Sequence, residues 1–402
     1  MLGRLFSRAF LAGFLLCSAP RPAAAERIND NLEVYGYFQA WMTIVEEMED
    51  ARGLIQHPSG DEAADYTSGF RLHRLRLGMN VSLLGDKLGA ELLLKLEGDP
   101  GMLDIAAVWR PVRWLTVKIG QFRIPSTAEN LRPDRDLDFV LRTELSDALA
   151  DYSLSKTNYA SSLFHGNRSY RRDFGLGLEV GHRWRRFAGR VLFMMGNGLG
   201  ANLFISGDSA RGFLITNKAQ FFYGVRAELE PWPGVIKLGG HFNYNRHDNV
   251  VFNSGRVVLD LARMSGSGNL TQSFASIGLE LGALGGYGQI DEDANLDGRK
   301  DFRYYGGAAY LLWDLQPLLR KATRGALDRR HHIVLGFRYE RYSTESDEAG
   351  AWTHKANYTV GLSYRYWRNV KLQFNAILHR TDKPFFPDLD DDLFVLSLQF
   401  AL

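Results

Sequence analysis

The chain has 402 residues, with 48 Lys and Arg against 46 Asp and Glu, so its net charge is close to zero. That balance argues against a nucleic-acid binder, which needs a basic excess. One cysteine leaves no disulfide framework, and no apolar stretch reaches the roughly 18 residues of a spanning helix.

Residues 1–25 read as an export signal. Arg4 and Arg8 form the charged start, Ala9 to Leu16 the apolar run, and Ala23-Ala24-Ala25 a small-residue cleavage site before Glu26. The run is too short to cross a bilayer. A lipid anchor on Cys17 is the alternative, but Leu16 is too large for that cleavage pattern. Cleavage removes Arg4, Arg8, Arg21 and Cys17. Residues 26–402 then hold 45 bases and 46 acids, a net charge of −1, and no thiol.

From there the dominant signal is alternation with period two. Leu32 to Ile44 is the first predicted strand, with Leu32, Val34, Phe38, Ala40 and Met42 on one face. Phe70 to Leu83 sets Leu75, Leu77, Met79, Val81 and Leu83 against Arg74, Arg76, Asn80 and Ser82. After a tight Gly85-Asp86 turn, Leu88 to Glu97 sets Leu92, Leu94 and Leu96 against Glu91, Lys95 and Glu97. Leu103 to Trp109 and Trp114 to Phe122 follow. Beyond a break of about fifty residues come Phe174 to His182, Phe187 to Gly196, Gln220 to Leu229, Ile236 to Asn245, Thr271 to Ala283 and Tyr287 to Ile290. The last five are Tyr304 to Trp313, Ile333 to Tyr342, Ala356 to Trp367, Val370 to His379 and Leu393 to Leu402. In that last segment Phe394, Leu396, Leu398, Phe400 and Leu402 form one wholly apolar face.

These 16 segments predict an all-β, transmembrane antiparallel barrel. Each is about the length a tilted strand needs to cross a bilayer, and only a closed sheet leaves no open edge there. Short and long connections alternate, as they do between the two sides of an outer-membrane barrel. Two places fit badly: Tyr287 to Ile290 is short, and Asp314 to Arg330 is long where a tight turn is expected. Six of eight tryptophans (Trp109, Trp114, Trp184, Trp232, Trp313 and Trp367) lie at or beside the connections assigned to the periplasmic side. Indole rings prefer the membrane interface, although strand ends collect them in other β-proteins too.

Gly120-Gln-Phe-Arg-Ile-Pro125, Arg135-Asp-Leu-Asp-Phe-Val-Leu-Arg142 and Arg172-Asp-Phe-Gly175 resemble the phosphate-selective porin O/P family. So do Gly196-Asn-Gly-Leu-Gly-Ala-Asn202 and Gly361-Leu-Ser-Tyr-Arg-Tyr-Trp-Arg-Asn-Val-Lys371. The fragments occur in order from about Leu32 to Leu402. The resemblance implies a 16-stranded outer-membrane barrel, a homotrimer, a third outer loop folded into the lumen, and passage of small anions and other solutes. Two departures are the terminal Leu402, where the family closes on Phe, and the stretch around Trp313-Asp-Leu.

The break from 123 to 173 is that third loop. It holds eight bases (Arg123, Arg132, Arg135, Arg142, Lys156, Arg168, Arg171 and Arg172) and eight acids (Glu129, Asp134, Asp136, Asp138, Glu144, Asp147, Asp151 and Asp173). The tally does not set the sign of selectivity. A lid of mutually paired charges is the bland alternative. On the wall, Arg74, Arg76, Glu91, Lys95, Glu97, Lys118, Arg338 and Glu340 are expected inside, with Lys95 and Lys118 as anion contacts. Arg132, Arg135, Arg142, Lys156, Arg171 and Arg172 are the candidate constriction residues. Asp293, Asn295 and Asp297 resemble the start of a calcium loop. Tyr304 stands where the closing acid belongs, and Arg299 and Lys300 oppose a cation, so an outer-loop turn is the better reading. His331 and His332 are adjacent on a strand and face opposite ways. No catalytic motif stands out, and no cofactor is expected.

The sequence therefore predicts a bacterial outer-membrane porin. It is exported with cleavage near Ala25, surrounded by lipid and lipopolysaccharide, and passes small ions or solutes such as phosphate. It is expected to be no enzyme and to bind no nucleic acid. An outer-membrane barrel with an enzymatic or adhesin role is the alternative.

Overall fold

A computed structural model describes residues 26–29, 31–45, 48–49, 55–56, 68–98, 100–150, 171–184, 187–198, 214–216, 221–247, 250–252, 261–292, 302–325, 328–345, 352–367, 369–382 and 392–402. Sixteen antiparallel strands make one closed barrel. They are β1 Leu32–Val45, β2 Gly69–Leu83, β3 Leu88–Lys95, β4 Gly101–Val112, β5 Leu115–Arg123, β6 Arg172–Trp184, β7 Phe187–Gly196 and β8 Phe222–Trp232. The second half is β9 Ile236–His247, β10 Leu261–Phe274, β11 Leu279–Glu292, β12 Phe302–Asp314, β13 His331–Glu345, β14 Trp352–Tyr366, β15 Val370–Asp382 and β16 Leu393–Ala401. Each strand pairs with the next. β16 then returns to β1, with Tyr37 opposite Ala401 and Val45 opposite Leu393, which leaves no unpaired edge. A four-residue strand, Glu26–Asn29, adds to the start of β1.

Alternation decides which face meets what, and the result is inverted relative to a soluble domain. Phe38, Leu77, Ile119, Val191, Phe242, Leu270, Phe337, Val360 and Phe400 are exposed on the outside. Gln39, Arg76, Gln121, Arg226, His241, Arg338, Glu340, Thr359, Gln373, Asn375 and Gln399 are buried inside. An apolar outer band around a polar interior is stable where hydrocarbon replaces water outside. Among the described residues, no helix is long and apolar enough to cross a membrane. Trp109, Trp114, Trp184, Trp232, Trp313 and Trp367 are all exposed at one rim, whereas Trp41 is buried in the lumen.

One stretch differs from the sequence expectation. The predicted strand Thr271 to Ala283, turn at 284–286 and short strand Tyr287 to Ile290 are replaced by β10, a turn at 275–278 and β11. The glycines that suggest a turn lie inside β11, and bulky groups occupy the Cβ space of Gly286 and of Gly282 and Gly288 on either side. A Cβ on Gly282 would come within 2.0 Å of the Tyr310 ring, one on Gly288 within 2.0 Å of Tyr304, and one on Gly286 within 2.6 Å of Leu149. The long connection after Asp314 is real. It contains a short helix, Gln316–Ala322, with Pro317 in its first turn.

Candidate pore constriction

The third loop leaves β5 at Arg123 and crosses the lumen. Two short helices order it: α1 Ala128–Leu131 and α2 Glu144–Ala150. Thr127 caps α1 by accepting from Asn130 N at 3.3 Å. Thr143 does the same for α2, accepting from Ser146 N at 3.1 Å. Other unpaired amides at the start of α2 find carboxylates. Thr143 N donates to Glu129 at 3.0 Å, and Leu145 N to Glu340 of β13 at 3.0 Å.

The far wall grips the loop backbone. Gln373 donates to Asp138 O at 2.8 Å, Gln399 to Arg135 O at 3.2 Å, and Lys371 to Leu137 O. Arg338 donates to Leu141 O at 2.9 Å, Tyr304 to Ala148 O at 3.2 Å, and Arg226 to Ser126 O at 2.9 Å. Val140 N donates to Asn375 Oδ1 at 2.6 Å. Many inward polar side chains of β8, β12, β13, β15 and β16 therefore hold the loop. Wall glycines leave hollows for its apolar side chains. Phe139 sits against Gly336 and Gly361, Pro125 against Gly224 and Leu149 against Gly286. Trp41, Val140, Ile377, Leu393 and Val395 close a small apolar cluster under the loop.

Charge is concentrated around Asp134, in the 3-10 turn Asp134–Asp136. It pairs with Arg142, with Arg74 of β2 at 3.6 Å and with Arg171 at 3.8 Å. Burial pushes its carboxyl up, but Arg142, Arg74, Arg123 and Arg171 outweigh burial and hold it well below the usual carboxylate range. Asp138 bonds Arg132 at 2.6 Å and Arg365 of β14 at 2.8 Å. Burial raises Asp138 too, and those two arginines more than reverse it. A ladder of alternating charge runs along the wall from β3 to β9. Glu91 meets Lys118 at 2.8 Å, Glu179 meets Arg190 at 3.7 Å, and Glu228 meets Arg190, Arg226 and Lys237 at 2.5, 2.9 and 3.1 Å.

The sequence-derived candidates separate by water access. Arg135, 34% exposed, lies 5.6 Å over the Tyr35 ring and 3.7 Å from Asp136. Arg132 is 43% exposed. Both face the lumen. Arg142 is only 2% exposed and packed beneath the loop, so it is a pin of the loop and no solute contact. Arg76 is buried against Glu97, Arg172 binds Asp104 at 2.6 Å, and Arg171 binds Asp147 at 2.5 Å. Arg74 lies 5.8 Å over the Trp41 ring. Lys118 is neutralised by Glu91, and Lys95 is half-buried beside Arg76 in register. Lys156 lies outside the described residues, as do Asp293, Asn295 and Asp297. Among the described residues no group of three or more metal-binding side chains converges. His331 and His332 do separate, to Tyr364 and Asp314. Sequence reasoning missed Asp104, Arg365, Lys371 and the Arg226–Glu228 pair. Their one available signal was inward parity on their strands.

No family model matches the chain, and no curated protein matches it by sequence. Solved structures do. An anion-selective porin from Comamonas acidovorans superposes with a TM-score of 0.57 at 11% identity, covering 92% of this chain and 99% of that one. The outer membrane channel DcaP of Acinetobacter baumannii gives 0.53 at 10%, covering 94% and 100%. Outer-membrane OmpT of Vibrio cholerae gives 0.54 at 9%, covering 94% and 99%. The chain thus has the fold of bacterial outer-membrane porins. The expectation that it is no enzyme is withdrawn. OmpT, whose name states no channel activity, matches as well as the channels do, and at this identity the likeness is one of fold alone.

Proposed function

We propose that this chain is an outer-membrane porin, a water-filled barrel through which small hydrophilic solutes diffuse, with a preference for anions such as phosphate. The carrying observation is that one carboxylate, Asp134, stands among four guanidiniums, those of Arg142, Arg74, Arg123 and Arg171. Of the loop's arginines, Arg132 and Arg135 face water, each beside an acid, Asp138 and Asp136, and the guanidiniums packed around Asp134 lie behind them. Rings of arginine favour anions at close quarters. The resemblance to the phosphate-selective porin O/P family supports the same solute class. It also supports a homotrimer set in lipid and lipopolysaccharide, while the charged start, apolar run and small-residue site of residues 1–25 support export with cleavage near Ala25.

The test is single-channel recording of the folded protein in a planar bilayer, with a salt gradient and phosphate as competitor. Discrete conducting steps are expected, with a reversal potential on the anion side. Arg132→Gln with Arg135→Gln is expected to move that potential toward cations. Folded protein that inserts and conducts nothing would refute the channel.

A further inference from the structure

The rim that carries the tryptophans is also strongly basic. Among the described residues, the connections on this side and the strand ends beside them hold Lys87, Arg110, Arg113, Arg183, Arg320, Lys321, Arg324, Arg329 and Arg330, against Asp86, Glu230, Asp314 and Asp328. Lys87, Arg113, Arg183, Lys321, Arg324, Arg329 and Arg330 are exposed. The densest stretch is the 315–330 connection, which a plain barrel does not need. Its helix, α3 Gln316–Ala322, exposes Leu318, Lys321 and Ala322 at spacings of three and four, so an apolar and a cationic group share one face. The Arg330 guanidinium lies 4.8 Å from the Trp367 ring centre, which ties the cations to the tryptophan belt.

We propose that this end of the barrel is a docking collar for anionic phospholipid headgroups, with the α3 connection as its main contact. Interfacial tryptophans set the depth at which the headgroups lie. Exposed arginines and lysines just beyond that belt meet phosphate there, and Leu318 enters the acyl boundary beside them. A soluble polyanion would match the charge but not the exposed apolar residue and rings. The collar presupposes the membrane reading and goes beyond it, because conduction requires no lipid preference.

The experiment uses the full folded chain in phosphatidylcholine bilayer discs containing phosphatidylglycerol. Lipids retained on the protein are counted by native mass spectrometry. Several-fold enrichment of phosphatidylglycerol is expected, and it should fall steeply in about 1 M salt. Lys321→Gln, Arg324→Gln and Arg329→Gln together are expected to remove at least half of that enrichment without changing unit conductance. Arg324→Lys with Arg329→Lys is expected to keep it. Equal retention of the two lipids, or full enrichment in the triple glutamine variant, overturns the collar. Normal conductance with no lipid preference sinks the collar alone, whereas failure to conduct sinks the channel.

Discussion

At Asp134, burial and charge pull in opposite directions, and charge wins because four guanidiniums surround one carboxylate. Removing that carboxylate leaves Arg142 and Arg74 without their acidic partner, while Arg171 keeps Asp147. Asp134→Asn is therefore expected to destabilise the folded barrel by about 3–5 kcal/mol, the cost typical of breaking one partner out of a buried pair. Urea unfolding in lipid vesicles measures it. The pH response has a definite sign. Asp134 and Asp138 both sit below their unfolded value of 3.8. Their stabilisation is complete above that value and is lost as pH falls through the lower folded values. The loosening that these two carboxylates resist is expected only in strong acid, as a rise in unit conductance well below about pH 5. No rise there would show that Asp134 and Asp138 do not hold the loop.

At the scale of elements, the third loop and the wall were shaped for one another. Gly336 and Gly361 are the floor under Phe139, and a Cβ on Gly336 would come within 2.9 Å of that ring. Gly336→Leu is expected to lift the loop from the wall, cost about 1–3 kcal/mol and raise unit conductance. Overpacking that left conductance unchanged would show that the loop does not set the bore. The strands themselves were legible in the sequence, since period-two alternation survives wherever one face meets hydrocarbon and the other water. β10 and β11 were misplaced because glycine signals both a turn and a hollow. Only the cross-strand positions of Tyr304 and Tyr310 and the arrival of Leu149 tell the two apart.

For the whole molecule, the outer band is the property with the largest consequence. Val360 is exposed midway along β14, between apolar neighbours. Val360→Arg is expected to cost about 2–4 kcal/mol of stability in a bilayer if it lies near the midplane. Refolding yield into vesicles checks it, with Thr359→Arg failing for a different reason, lack of room under the loop.

Closure of the sheet, the inverted faces and the tryptophan rim follow from the sequence by itself, because each depends on local spacing along a strand. Which charges meet water does not. Arg142 and Arg135 look alike in the chain, seven residues apart in one loop. One is pinned under Asp134 and the other faces the lumen, because the path of the loop across the barrel brings distant strands to bear on each. Ion pairs such as Arg365 with Asp138 join residues 227 positions apart. Such pairings arise only when the barrel closes, and they decide how much of the loop's charge is left for a passing solute.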